Sequence, residues 1–91
     1  MATATMIARH RVEDYGSWRS VYDSVEPLRS AHGCTHAEVM VDPSDKQDVF
    51  ILHRFPTLEQ AQAFAGSTEL REAMGRAGVV GAPRIEIAVE A

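Results

Sequence analysis

The feature that most limits how this chain can fold lies at its centre. Two apolar, alternating runs, residues 34–42 and 48–55, flank the tip Pro43-Ser44-Asp45-Lys46-Gln47. Turn-forming residues fill that tip, so the two runs are expected to join as a β-hairpin. A hairpin symmetric about Asp45 sets Val41 opposite Val49, Val39 opposite Ile51 and Ala37 opposite His53. One sheet face then carries Ala37, Val39, Val41, Val49, Ile51, His53 and Phe55. The other carries His36, Glu38, Met40, Phe50, Leu52 and Arg54. Strand side chains alternate with period two, so a slip of one residue would exchange the two sets.

The flanks repeat one pattern. Residues 5–12 alternate in part, and Asp14 after them is a helix N-cap type. From Tyr15 the period becomes helical, with Tyr15, Trp18, Tyr22, Val25 and Arg29 near one stripe. Pro27 breaks it. Proline cannot bond to the Asp23 carbonyl and clashes with the preceding turn, at about 3 kcal/mol in a straight helix. A kink, or two short helices meeting near Glu26, is expected, with Gly33 as a left-handed C-cap. After the hairpin, Thr57-Leu58-Glu59-Gln60 is a capping box that opens a helix to about Ala65. Gly66 interrupts it, and Ser67 caps a second segment through Ala77, with Phe64, Leu70, Ala73, Met74 and Ala77 on the apolar side. Residues 78–83 read as an apolar loop, with Gly75, Gly78 and Gly81 permitting a tight return and a lid as its other role. A last strand is expected from Arg84 to Ala91.

The order βαββαβ is that of a ferredoxin-like α+β unit, an antiparallel sheet with both helical segments on one face. Right-handed crossovers give the spatial strand order fourth, first, third, second. With 91 residues, the expectation is a single domain over 1–91, too short for a complete dinucleotide-binding fold beside it. The bare sheet face would expose Met40, Phe50 and Leu52, a patch best covered by a second copy in a two-fold homodimer. Nine basic against thirteen acidic residues give a net charge of −4, which argues against nucleic acid and anionic membranes as partners. No apolar run approaches the roughly 18 residues of a membrane span. The lone Cys34 suits a reducing cytoplasm.

Particular strings carry a family resemblance. They are His10-Arg11-Val12-Glu13-Asp14-Tyr15-Gly16-Ser17-Trp18, then Tyr22, Arg29 and Gly33, then Phe55 with Ala61 and Phe64. Ser67-Thr68-Glu69-Leu70-Arg71-Glu72-Ala73-Met74 and Ala77-Gly78-Val79 complete them. Together they resemble the antibiotic-biosynthesis-monooxygenase-like group of the dimeric α/β-barrel superfamily. The resemblance implies a homodimer whose two sheets form a barrel with helices outside, and a cavity between each sheet and its helices. The superfamily includes cofactor-independent monooxygenases of phenolic polyketides, polyketide cyclases, haem-degrading enzymes and proteins without a known reaction. Fold alone does not choose among them.

The histidines are the polar residues best suited to chemistry. His10 on the first strand and His53 on the third are expected in one apolar cavity near Trp18 and Tyr22. A buried neutral imidazole can take a proton from a phenol or a carbon acid. His53, His10 and Tyr22 are therefore the candidate catalytic groups, with Tyr22 as an orienting donor. Trp18, Ile51, Phe55 and Met74 are the candidate substrate-binding walls. His36, Glu38 and Arg54 are expected to cluster on the open face, and His32 to sit at a helix C-terminus. No metal-ligand spacing is present, and no metal or other cofactor is expected. Two reactions fit an aromatic or polyketide-like substrate: oxygenation through a carbanion that gives electrons to O2, or cyclisation through an enolate. The other reading is a non-catalytic ligand-binding or stress-linked dimer.

Overall fold

The computed structural model describes residues 3–91. Met1 and Ala2, which open the expected unit, lie outside the described residues. The elements are β1 (Ala4–Val12), α1 (Tyr15–Ser24), α2 (Glu26–Ala31), β2 (His36–Asp42), β3 (Asp45–Phe55), α3 (Leu58–Ala65), α4 (Thr68–Arg76) and β4 (Val79–Val89). The four strands form one antiparallel sheet in the order β2-β3-β1-β4, as the crossover rule requires. The helices cover one face of it, giving the expected ferredoxin-like α+β architecture. Among the described residues, no helix is long and apolar enough to cross a membrane.

Strand β1 displays the two-sided logic. Ala4, Met6, Ala8, His10 and Val12 are buried beneath the helices, while the residues between them face the other way and are half-buried or exposed. The hairpin register is the expected one, with Val41 opposite Val49, Val39 opposite Ile51 and Ala37 opposite His53. Its tip is shorter than expected. Only Pro43 and Ser44 turn, and Asp45 already pairs with Asp42 across a register shift after Val41. Two carboxylates hold the bend: Asp42 accepts from the Ser44 N–H at 2.9 Å, and Asp45 from the Gln47 N–H at 3.0 Å.

Pro27 divides the first helical segment in two. It stands at the second position of α2, where a missing N–H removes no intrahelical bond. Val25 forms the joint, with φ −98° and ψ 13°, and its carbonyl receives the Leu28 and Arg29 N–H groups. Gly33, at φ +82°, reverses the chain after α2. A Cβ there would meet the Gln60 amide nitrogen at 2.5 Å, so the turn suits glycine on both counts. The second segment also divides as expected, at Gly66. Thr57 Oγ1 accepts from the Gln60 N–H at 3.2 Å, while the Gln60 amide oxygen accepts from the Thr57 hydroxyl instead of reaching its backbone.

Of the loop and lid expected over residues 78–83, only Gly78 is a turn. Residues 79–83 are strand, because β4 begins at Val79 and pairs with β1 from Val12 to Ala4. The pairing survives Pro83 because of an irregularity. Arg11 faces Val80 and Arg9 faces Arg84, so Gly81, Ala82 and Pro83 lie opposite His10 alone. Gly81 takes φ +73° there, and proline is tolerated at such a bulge on an edge strand.

Candidate functional site

Asp14 begins the site. Its carboxylate accepts the Ser17 N–H at 2.9 Å and caps α1, and this phase turns Trp18 and Tyr22, one turn apart, toward the sheet. Beneath them β1 contributes Met6, Ala8 and His10, and β3 contributes Ile51 and His53. Phe64 of α3 and Leu70, Ala73 and Met74 of α4 complete most of the wall. The cavity thus lies between sheet and helices.

Its polar groups are tied together by stacked rings. His10 meets Trp18 edge-on at 5.7 Å between centroids, Trp18 stacks on Tyr22 at 5.0 Å, and Tyr22 lies nearly parallel to His53 at 5.9 Å. Tyr22 Oη and His53 Nε2 are hydrogen-bonded at 2.8 Å. Phe64 meets His53 edge-on at 5.4 Å. The two histidines share the cavity but do not touch. His10 is registered with Val49, four residues before His53, which separates them by about 13 Å along the strand.

Burial sets the protonation of these groups. His53 is 2% exposed, and its pKa is pushed down to about 4 by loss of water and, secondarily, by the charge of Arg29. His10 is lowered by burial alone. Burial raises the Tyr22 hydroxyl above its ordinary value, so it keeps its proton at neutrality. Both ring nitrogens of His10 and Nδ1 of His53 are buried without a hydrogen-bond partner. Buried polar atoms normally find partners, so three such atoms beside one cavity mark it as unusual.

Six of the seven expected site residues come together. His53, His10, Tyr22, Trp18, Ile51 and Met74 all line the cavity. Phe55 does not. It is fully buried one layer back, its ring edge-on to His53 at 6.5 Å and packed on Phe64, and it supports the wall instead of forming it. Arg29, which the sequence placed on the helical stripe without a role, also lines the cavity. It is 7% exposed, donates from Nη1 to the Tyr22 carbonyl at 2.8 Å, and holds its guanidinium 4.0 Å from the Tyr22 ring centroid. A cation on an otherwise apolar stripe was the available signal.

The remaining polar residues lie elsewhere. His32 ends α2, with Nδ1 3.0 Å from the Leu28 carbonyl, the helix-terminal place expected for it. His36 pairs with Glu38 at 3.3 Å on the open face, where Arg54 is registered opposite His36 but makes no ion pair among the described residues. No group of three or more His, Cys, Asp or Glu side chains among the described residues is placed to hold a metal.

The space inside is small. The cavity volume is about 40 Å³, room for a water or two, against the roughly 300 Å³ lower bound of sites for drug-sized ligands. A ring system needs more room than this, so its binding requires the wall to give.

No protein-family model and no curated protein matches the sequence. Solved structures do match the fold. A Bordetella bronchiseptica protein described as a "putative antibiotic biosynthesis monooxygenase" superposes with a TM-score of 0.82 at 14% identity, over 100% of this chain and 99% of its own. SnoaB, a cofactor-independent oxygenase from Streptomyces nogalater, gives 0.76 at 9% identity, over 94% and 90%. Rv0793 from Mycobacterium tuberculosis gives 0.74 at 14%, over 98% and 95%. The strand order, the helical layer and these superpositions agree: the chain has the fold of the antibiotic-biosynthesis-monooxygenase-like proteins that its sequence resembles.

Proposed function

We propose that this chain is a cofactor-independent, monooxygenase-like enzyme acting on a small aromatic or polyketide-type substrate in the cavity between sheet and helices. The observation that carries the reading is the buried Tyr22–His53 pair, 2.8 Å apart in an apolar wall. His53 is neutral at pH 7 and so is an unloaded proton acceptor. Its Nδ1 is sealed and its Nε2 faces Tyr22, so substrate reaches the imidazole through the tyrosine hydroxyl. The substrate's proton passes to the Tyr22 oxygen as Tyr22 gives its own to His53 Nε2. The resulting carbanion or enolate lies beside Trp18. In oxygenation it transfers electrons to O2, and the peroxide it forms collapses to a carbonyl and water. In cyclisation the same enolate attacks a carbonyl of its own chain. His10, at the other end of the ring stack, supplies a second proton carrier.

Each subunit is proposed to work in the cytoplasm as half of a homodimer joined through the open sheet face, which exposes Ile7 and Met40 at 46% and 47%. Two such faces closing on each other make the barrel that the resemblance implies. Light-scattering mass in solution tests this, and a stable monomer at micromolar concentration contradicts it. The small cavity favours a second reading, a ligand-binding dimer without catalysis.

Oxygen uptake with a panel of hydroxyaromatic and polyketide-like compounds separates these readings. Uptake supports oxygenation, and ring closure without uptake supports cyclisation. The His10→Ala/His53→Ala double variant should lose turnover by about a hundredfold or more while its mass in solution is unchanged. Full turnover in that variant removes the imidazoles from the mechanism.

A further inference from the structure

Arg29 is the buried arginine of the fold. Arg9, Arg11, Arg19 and Arg84 are partly solvated and each has a carboxylate partner, Asp48, Asp45, Asp23 and Glu86 in turn, while Arg54, Arg71 and Arg76 have none among the described residues but are exposed to water. Arg29 is the buried one, and among the described residues no carboxylate pairs with it. A guanidinium moved out of water needs its counter-charge more than one at the surface does. Its compensation here is partial. One Nη1 donor is spent on the Tyr22 carbonyl, and the Tyr22 ring faces the cation. Among the described residues the other N–H groups of the five have no protein acceptor, though their nitrogens are not sealed from solvent as those of His10 are, and the residue lines the cavity with Tyr22 and His53.

We infer that this cavity takes a ligand bearing a carboxylate, which docks on the free donors of Arg29 while the rest of the molecule lies against Trp18 and Tyr22. The inference deepens the functional reading above and rests on it. A planar guanidinium with unspent donors matches a carboxylate with two hydrogen bonds, which a neutral carbonyl cannot equal. Binding and proton transfer would then be linked. The charge of Arg29 opposes protonation of His53, and a bound carboxylate cancels that charge. His53 becomes the better acceptor once ligand is in place, so the base is armed by the substrate it serves.

Calorimetric titration with benzoate and with benzamide tests this. The two have the same ring and similar bulk, and only benzoate is charged. Benzoate should bind the wild-type protein about tenfold or more tightly than benzamide, with NMR shift changes centred on Tyr22 and His53. Arg29→Met should abolish the preference while leaving benzamide binding in place, and Arg29→Lys should retain part of it. Equal binding of the two probes, a preference that survives in folded Arg29→Met, or shift changes remote from Tyr22 would each overturn the inference and leave the cavity as a ring site intact. If neither probe binds at millimolar concentration, the small-molecule reading of the cavity fails together with the inference. Should Arg29→Met not fold, the wild-type ratio of benzoate to benzamide decides alone.

Discussion

The two faces of the sheet handle polar groups in opposite ways. On the open face, charge is matched by charge, even at the buried Asp48. Arg9 grips Asp48 through Nε and Nη2 at 3.1 and 2.8 Å and lies over the Phe50 ring, Arg11 reaches Asp45, and His36 lies beside Glu38. On the roofed face, where an unmet polar atom costs most, His10 has no partner, His53 has one, and Arg29 has a single carbonyl. Stability alone favours the reverse arrangement. Under the proposed function, the roofed face keeps its polar residues for ligand and proton transfer, while the ion pairs of the open face serve strand register and the proposed dimer seam.

The sharpest check on the contrast begins behind the site. Phe55 is fully buried and does not line the cavity, so Phe55→Ala should destabilise the fold by about 3–5 kcal/mol, read as a fall in the urea midpoint. A loss under about 1 kcal/mol would mean the core behind His53 is loosely packed.

Next comes acid. The folded pKa of His53 lies below its ordinary 6.5, so the unfolded chain binds more protons between the two values. Stability is therefore fully present above about pH 6.5 and is lost as pH falls toward 4. The loss is about 3 kcal/mol from His53 alone, and His10 adds in the same direction. Urea midpoints measured across that window should fall with pH, and His53→Gln should flatten the curve. An unchanged slope in that variant would mean that His53 is solvated in the folded protein.

The open face should respond more weakly. Arg9→Gln should lower the urea midpoint less than Phe55→Ala does, because the Arg9 side chain is 53% exposed, although its partner Asp48 is not. The smallest expected effect on the monomer is that of Ile7→Ser, within about 0.5 kcal/mol. The same substitution should weaken self-association, seen as a lower mass at equal concentration, and an unaltered mass would place the dimer interface elsewhere.

What could be read before folding was whatever local chemistry settles. Asp14, Thr57 and Ser67 cap the helices as their side chains require, Pro27 breaks the first helical segment, and Gly33 reverses the chain. The hairpin register followed from centring the turn on Asp45, and register delivered His53 to the roofed face. Long-range pairing decided the rest. Residues 79–83 of the expected loop became strand because β1 offered an unpaired edge, and hydrogen bonds to that edge outweighed a glycine- and proline-containing sequence through one bulge. Phe55 has the right parity for the cavity and still falls outside it, since its depth depends on where Phe64 arrives from another element. Arg29 had a known place on its stripe, but whether an acid waited for it was a question of what the other helices and the sheet brought near. Caps, breaks and alternation are properties of a few neighbouring residues. The partner of a buried charge is a property of the whole packed chain.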